Sequence, residues 1–517
     1  MLSIVKSIAL HGLEGFIIDV QVDVSGGLPS LDIIGLPDTS IREAKERVRT
    51  AIKNSGYEFP SRKIVINLAP ATIKKGGSVF DLPMAVAILN ACAYIKEFDF
   101  ENTVFLGELS LDGNLNSING VLPMCIEAKK LGKKRIILPK ENSREAGIVS
   151  DIEIIPVTSL NQVVAYLNGI IPIVPSKFDI SSLYFNSNNS GLDFSEIKGQ
   201  KNIKRAIEVA ASGAHNCLMI GSPGSGKTMI AKRIPSILPL LSFDESLEVT
   251  KIHSIAGEVS SNNPFIVSRP FRSPHHTISK TALVGGGSVP KPGEISLSHY
   301  GVLFLDEMPE FDKSTLEVLR GPLEDGKITI SRVNSVLTYP CQFMLVASMN
   351  PCPCGYYGSN KECNCSSQAI KKYIGKISGP LLDRIDIQVE VSSVKYEDLN
   401  SENEEESSEE IKARVERARN VQLERYKHNE IYSNAELTPK LIEKYCVLDS
   451  KCKTTLEKAF SKMGFSARAY GKILKVARTI ADLDGSININ QKHLLEAIQY
   501  RSLDKKFNFG DGSKKLS

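Results

Sequence analysis

At 517 residues, 42% hydrophobic and 24% charged, the chain is too long for one core, and its length predicts about three globular domains. A net charge of +4 is too small to argue for nucleic acid by itself, and the composition carries no signature of wholesale disorder. The longest apolar run, Leu82 to Ile95, is broken by Pro83 and Asn90 and is too short to span a bilayer. His11, Glu14 and Asp19 follow the N-terminal apolar patch too closely for a signal peptide. The expectation is a cytoplasmic protein with no membrane partner, whose ten cysteines form no structural disulfides.

Residues 1–170 read as an α/β unit. Ile17 to Val24 alternates apolar and polar residues as a half-buried strand does, and Ile64 to Leu68 is a second strand. Helical spacing covers Ile41 to Lys53. Asp81 to Tyr94 is an apolar helix, with Asp81 as N-cap and Pro83 in the first turn. Leu109 to Leu115 forms a hairpin about Asp112-Gly113, and a helix (Leu122 to Leu131) and a strand (Arg135 to Leu138) follow. Residues 171–192 shift to Pro, Ser and Asn and suit a linker. A second α/β unit spans 193–396. It opens with a helix from Asn202 to Ser212, which Gly213 is expected to stop. Residues 397–410 read as a solvated acidic connector, 411–503 as an all-α domain, and 504–517 as a disordered tail.

The second unit carries the chemistry. Gly221-Ser222-Pro223-Gly224-Ser225-Gly226-Lys227-Thr228 has the G-x-x-x-x-G-K-[ST] spacing between an apolar strand (Cys217 to Ile220) and a helix-permissive segment. Glycines at such a turn let backbone N–H groups curl round phosphate oxygens, and the helix N-terminus favours their charge. Lys227 then reaches the β/γ-phosphates, and the Thr228 hydroxyl binds Mg²⁺. The buried strand Val302 to Leu305 ends in Asp306 and Glu307: Asp306 to hold Mg²⁺, Glu307 to orient and deprotonate the attacking water. A third strand, Phe343 to Ser348, leads to Asn350, whose amide orders the same water. Arg384 sits at a helix end with a guanidinium suited to γ-phosphate charge, and is expected to act in a neighbouring subunit's site. Arg468 opens a long helix running to Leu483 and is expected to reach back over the nucleotide from that lid.

This order of elements resembles the AAA+ ATPases: Walker A, Walker B, sensor 1, arginine finger, then a helical lid with sensor 2. Within them, five segments are similar to the magnesium-chelatase-like ComM/YifB family: Asp193 to Gln200, Arg269 to Thr277, Asn350 to Gly355, Ser378 to Asp386 and Ala477 to Leu483. The resemblance implies a P-loop parallel-sheet core with a C-terminal helical lid. It also implies ATP and Mg²⁺ as cofactors and a ring, a homo-hexamer, with ATP at subunit interfaces. Activity as a DNA helicase in branch migration during transformation is implied as well; the chelatase relatives imply the alternative of an ATP-dependent protein remodeller.

Two inserts are candidates for contact with DNA. One runs from Leu241 to Gly301 and holds Arg272, Lys280 and the pair His275-His276; the other is a hairpin over Gly326 to Thr338 with Lys327 and Arg332. Such contacts are sequence-independent and salt-sensitive. The hairpin turn lacks the aromatic that protein remodellers place there, since Tyr339 and Phe343 fall on the strand approach. The two histidines bind a metal or, in the simpler reading, pack and hydrogen-bond within the insert. Cys352, Cys354, Cys363 and Cys365 form a C-x-C…C-x-C pair that either holds tetrahedral Zn²⁺ or packs as reduced thiols beside Asn350. In the first unit, Leu68 to Ser78 and Leu106 to Gly113 resemble the Lon-protease domain. Ser78 falls at the nucleophile's place, but the lysine's place falls near Leu122, and Lys74 and Lys75 lie on the wrong element. The resemblance therefore implies a non-proteolytic relative.

Overall fold

The computed structural model describes residues 2–72, 75–186, 191–287, 290–332, 335–359, 361–393, 405–429 and 431–503, except the side chains of Ser182, Phe185, Asn186, Arg332 and Ser335. Lys74, residues 397–404 of the acidic connector and the tail 504–517 lie outside them.

The first unit is built on a seven-stranded mixed sheet. Its order is Ser30–Ile34, Lys63–Ala69, Glu14–Ser25, Leu2–His11, Thr103–Phe105, Arg135–Pro139 and Glu153–Val157. Glu14–Ser25 buries Ile18, Val20, Val22 and Val24 and turns Asp19, Gln21 and Asp23 to the other face, as its alternation requires. The N-terminal patch is itself a strand, Leu2–His11, antiparallel to it. Its pattern is disguised, because Ser3 and Ser7 point inward while Leu2 and Ile4 are exposed. Ser7 Oγ offsets its burial by donating to Phe105 O at 3.0 Å.

The helix predicted from Asp81 spans Asp81–Ala91 and has Phe80, not Asp81, at its N-cap. Asp81 is 1% exposed and instead accepts from Arg47 Nε (2.9 Å), Arg47 Nη2 (3.1 Å) and Leu109 N (3.3 Å). A carboxylate so deep needs that bidentate partner. The stretch read as a linker is also tied down. Ile173, Phe178, Ile180 and Leu183 pack on the first core, and Ser181–Asn186 is a short helix. Widely spaced apolar residues among Pro and Ser had hidden this.

The second unit holds a five-stranded, all-parallel sheet in the order Phe271–Arg272, Val302–Leu305, Met344–Met349, Cys217–Gly221, Ile387–Val391. Cys217–Gly221, Val302–Leu305 and Met344–Met349 are buried at every position, because both faces are covered. One face meets the helices Lys201–Gly213, Lys227–Ile237 and the all-α segment; the other meets the hairpin Lys327–Arg332/Ser335–Pro340. The units join where Glu145 accepts from Leu122 N (2.9 Å) and from Ser254 Oγ of the helix Phe243–Ala256.

The C-terminal helices Ser408–Tyr426, Pro439–Tyr445, Ser450–Met463, Ala467–Leu483 and Gln491–Gln499 share a core with the parallel sheet. The described end of the acidic connector is bound rather than solvated. Glu405 accepts from Lys204 Nζ (2.7 Å) and Gly199 N (2.6 Å), and Ser407 forms a capping box with Glu410. Among the described residues no helix is long and apolar enough to cross a membrane.

Gly213 does not stop its helix. It is the last buried residue of Lys201–Gly213, and Ala214 takes the left-handed turn at φ 56°. The glycine is needed for closeness: a Cβ there would overlap His215 Nε2 and stand 2.5 Å from Thr479 Oγ1 on the long lid helix. Gly213→Ala is therefore expected to destabilise the fold by about 1–3 kcal/mol through overpacking. A denaturant midpoint equal to that of the native chain would refute the close packing.

Candidate nucleotide site

The carboxyl ends of three adjacent parallel strands converge on a cleft of about 400 Å³, the place where such sheets collect ligands. Pro223 to Met229, Asp306, Glu307 and Asn350 line it. Gly224 (φ 77°) and Gly226 (φ 87°) take left-handed turns, and the helix Lys227–Ile237 starts directly after them. Gly221 is needed for a different reason, since a Cβ there would meet Ser225 Oγ at 2.8 Å. Ser222 is the turn residue whose carbonyl receives Ser225 N at 3.2 Å.

Lys227 Nζ donates to Gly221 O (2.7 Å), Ser222 O (2.9 Å) and Asn350 Oδ1 (3.3 Å), and forms no carboxylate ion pair among the described residues. Burial pulls its pKa below the ordinary lysine value, against the opposing pull of Asp306 and Glu307. An ammonium held by neutral oxygens in a cleft fits a phosphate group, and the buried Ser225 hydroxyl beside it has no hydrogen-bond partner.

Thr228 Oγ1 donates to Asp306 Oδ2 at 2.6 Å, so the two Mg²⁺ candidates meet. Ser348 Oγ donates to the other oxygen of Asp306, and Glu307 N donates to Asp306 Oδ1 (3.1 Å) and Ser348 Oγ (3.2 Å). Glu307 is exposed to the cleft and sits at φ 51°, a strained backbone for a non-glycine residue. The chemistry available is a hard-cation corner at Thr228 and Asp306, with a free carboxylate one residue away.

Sequence reasoning missed Ser348, although a lone serine in the apolar run Met344–Met349 was its signal. It also gave no role to Gln200, which bridges Ser225 O (2.9 Å) and Ser392 O (3.0 Å) from a left-handed backbone and keeps a buried, unpaired Oε1.

The two arginines lie elsewhere. Cys217 pairs with Ile387 and Gly221 with Val391, so Arg384 precedes the amino end of its strand. Four residue steps of about 3.3 Å alone put roughly 13 Å between that end and the phosphate loop. Arg384 is bound by Glu324 and donates to Pro380 O (2.5 Å) and Arg320 O (3.3 Å). Arg468 does not reach over its own nucleotide, contrary to expectation. Its guanidinium donates to Asp383 Oδ2 at 3.1 Å beside Arg384 and is 67% exposed. Lys472, one turn on, explains this by pinning the helix to the amino end through Ile385 O (3.0 Å) and Asp386 (3.2 Å).

Of the DNA candidates, Arg272 is held by two carboxylates. Its side chain is committed to Glu294 (2.6 and 2.8 Å) and Glu258 (2.9 and 3.2 Å), which leaves no charge to offer a phosphate. Lys280 is exposed at the first turn of Lys280–Val284, and Lys327 is exposed at the base of the hairpin. Arg332 ends the first hairpin strand, and its side chain lies outside the described residues. Tyr339 is fully buried and Phe343 is packed in the core beneath. The His275 and His276 rings lie 4.0 Å apart, and His275 Nδ1 bonds Thr277 Oγ1 at 2.9 Å, the simpler of the two readings. Among the described residues the one group of three or more clustered metal-ligand side chains is Cys352, Cys354, Cys363 and Cys365.

In the first unit Ser78 Oγ donates to the Glu108 carboxylate, Leu122 is buried and offers no amine, and Lys75 Nζ donates to Gly35 O (3.1 Å) and Pro70 O.

Three family models match the chain: "Subunit ChlI of Mg-chelatase" over residues 20–142, "Magnesium chelatase, subunit ChlI" over 193–399, and "Magnesium chelatase, subunit ChlI C-terminal" over 405–501. The competence protein ComM of Haemophilus influenzae is 42% identical over 506 residues, covering 97% of this chain and 98% of that one. The uncharacterised protein YifB of Escherichia coli is 43% identical over 506 residues, covering 98% of each. Lon protease 2 of Bacillus subtilis is 30% identical over 179 residues, covering 31% of this chain and 32% of its own. With a P-loop parallel-sheet core, a C-terminal helical lid and a Lon-like N-terminal α/β unit, the chain belongs to the ComM/YifB family of magnesium-chelatase-like AAA+ ATPases.

Proposed function

We propose that the chain is an ATP-hydrolysing ring motor, a homo-hexamer in the cytoplasm, that moves DNA in branch migration during DNA uptake and recombination. The observation that carries the ring is the separation of its parts: phosphate loop, Asp306 and Glu307 at one end of the sheet, Arg384 and Arg468 at the other. A site so divided is completed by a second copy. The competence name of the Haemophilus relative supports the DNA reading. So does the hairpin, which carries the exposed Lys327 at its base while Tyr339 is buried.

Bound ATP with Mg²⁺ supplies the transferable phosphoryl group and the cation that neutralises it. Thr228 Oγ1 and Asp306 would hold that cation, and the Lys227 ammonium, now on loop carbonyls, would pair with phosphate oxygens. The Glu307 carboxylate takes a proton from the attacking water, which the Asn350 amide orients. Arg384 and Arg468 of one subunit meet the charge developing in the next. The first unit, with Ser78 bonded to an acid and Leu122 at the place of the amine base, acts as a non-proteolytic element that assembles the ring or contacts DNA.

Glu307→Gln is expected to bind ATP while hydrolysing it about 10²–10⁴-fold more slowly. Lys227→Ala and Arg384→Ala should each be inactive alone, yet recover activity when mixed, because an intact phosphate loop then faces an intact arginine. No recovery on mixing would overturn the shared site. Single-stranded or forked DNA should stimulate hydrolysis and be unwound in a strand-displacement assay; stimulation by an unfolded protein instead would favour the remodelling alternative. Lys280→Ala and Lys327→Ala should each weaken DNA binding and reduce the salt slope by about one, whereas Arg272→Ala should leave that slope unchanged.

A further inference from the structure

Four thiols sit behind the nucleotide cleft, in the loop that follows Asn350. The Sγ atoms of Cys352, Cys354, Cys363 and Cys365 all lie within 4.8 Å of one another. Cys352 and Cys354 are 3.3 Å apart, Cys352 and Cys363 3.7 Å, and Cys354 and Cys363 3.6 Å. These are not disulfides, which need about 2.05 Å. They are close to the edges of a tetrahedron round one small ion: Zn–S bonds of about 2.3 Å set S···S edges of about 3.8 Å. A cluster of two or four irons spreads its four thiolates over more than one metal and holds those on different irons farther apart than this, so the spacing favours a single ion.

The backbone is shaped to the same end. Gly355 (φ 85°) and Gly358 (φ 75°) take left-handed turns between the two C-x-C pairs. Gly355 N donates to Cys352 O at 3.0 Å, which curls the first pair so that its sulfurs converge. Tyr357 N donates to Cys352 Sγ at 3.3 Å, and such a bond steadies a metal-bound thiolate. Cys352 is fully buried and the other three are half-buried, so the group is closed on the protein side.

We propose that Cys352, Cys354, Cys363 and Cys365 bind one structural Zn²⁺ that fastens the Asn350 loop against the phosphate loop. Binding forms four Zn–S bonds and releases the thiol protons to solvent. With four protein ligands the ion has no open position, so it shapes the site and does no chemistry on substrate. The path to the nucleotide is short. Gly355 lies directly on the phosphate loop, where a Cβ would stand 2.6 Å from Pro223 Cγ and 3.8 Å from Asn350 Cγ. Cys352 follows Asn350 by two residues, and Asn350 Oδ1 in turn receives Lys227 at 3.3 Å. The ion therefore acts as a positioning element for Asn350. This second part rests on the nucleotide-site reading, whereas the zinc site stands without it.

The full chain, purified under reducing conditions without chelator, is assayed for metal by mass spectrometry and by zinc release on thiol modification. One zinc per chain is expected in the native protein and almost none in Cys352→Ser or Cys363→Ser. Co²⁺ taken up in place of zinc should give the sulfur-to-metal charge-transfer and visible bands of a tetrahedral thiolate site. Reduced native protein that holds no zinc, and takes up Zn²⁺ or Co²⁺ no better than Cys352→Ser, overturns the site; iron in place of zinc overturns the metal assignment. Cys363→Ser should lower kcat about tenfold or more while ATP affinity is kept. Cys365→Ser should lose zinc and rate in the same way, whereas Cys365→His, which supplies a ligand at the same place, should keep both, separating loss of metal from loss of fold. An unchanged kcat in zinc-free Cys363→Ser overturns the link to Asn350. A native protein with zinc but no ATPase activity supports the site and counts instead against the motor.

Discussion

Parallel strands force a division of labour between the two ends of a sheet. Because all five strands run the same way, every carboxyl end delivers its next residue to one rim and every amino end to the other. Thr228, Asp306, Glu307 and Asn350 follow strand ends or the loop between strand and helix, so they meet without long-range folding of the loops. Arg384 precedes a strand and cannot join them. The long lid helix, pinned through Lys472 to Asp386, keeps Arg468 on the same far rim. Chain direction thus holds the two groups of residues at opposite rims of the sheet.

Much of this was legible in the sequence, and the failures have physical causes. Loop motifs with fixed spacing translate directly into geometry, which is why Lys227, Thr228 and Asp306 stand together as read. Arg468 was misplaced because a one-dimensional order of motifs says nothing about which end of the sheet a lid helix crosses. Arg272 was misjudged because a cation's availability depends on acids distant in sequence, here Glu258 and Glu294. Two small polar residues hid the first strand, since Ser3 and Ser7 hydrogen-bond inside a face that periodicity expects to be apolar. Asp81 looked like a helix cap because its partner, Arg47, lies on another helix.

The same logic applies to the first unit. The Lon-type serine relies on a lysine amine to take its proton, but here Ser78 donates to the Glu108 carboxylate and the lysine's place is held by the buried, apolar Leu122. What the unit does offer is a docking face. Leu122 N and Glu145 meet Ser254 across the join, and the turn at Gly12 brings its backbone to Leu337 of the basic hairpin. The hairpin thus packs against the first unit.

Glu307 makes a demand on the fold that no packing argument explains. Left-handed backbone at a residue with a Cβ costs roughly 1–2 kcal/mol. Glycine would relieve that strain at this position, and asparagine would reduce it. Under the proposed function this sets thermal robustness against turnover, concentrated in one φ angle. Any effort to harden this protein against heat by consensus or computation would find an easy gain at the residue that carries the cleft's free carboxylate.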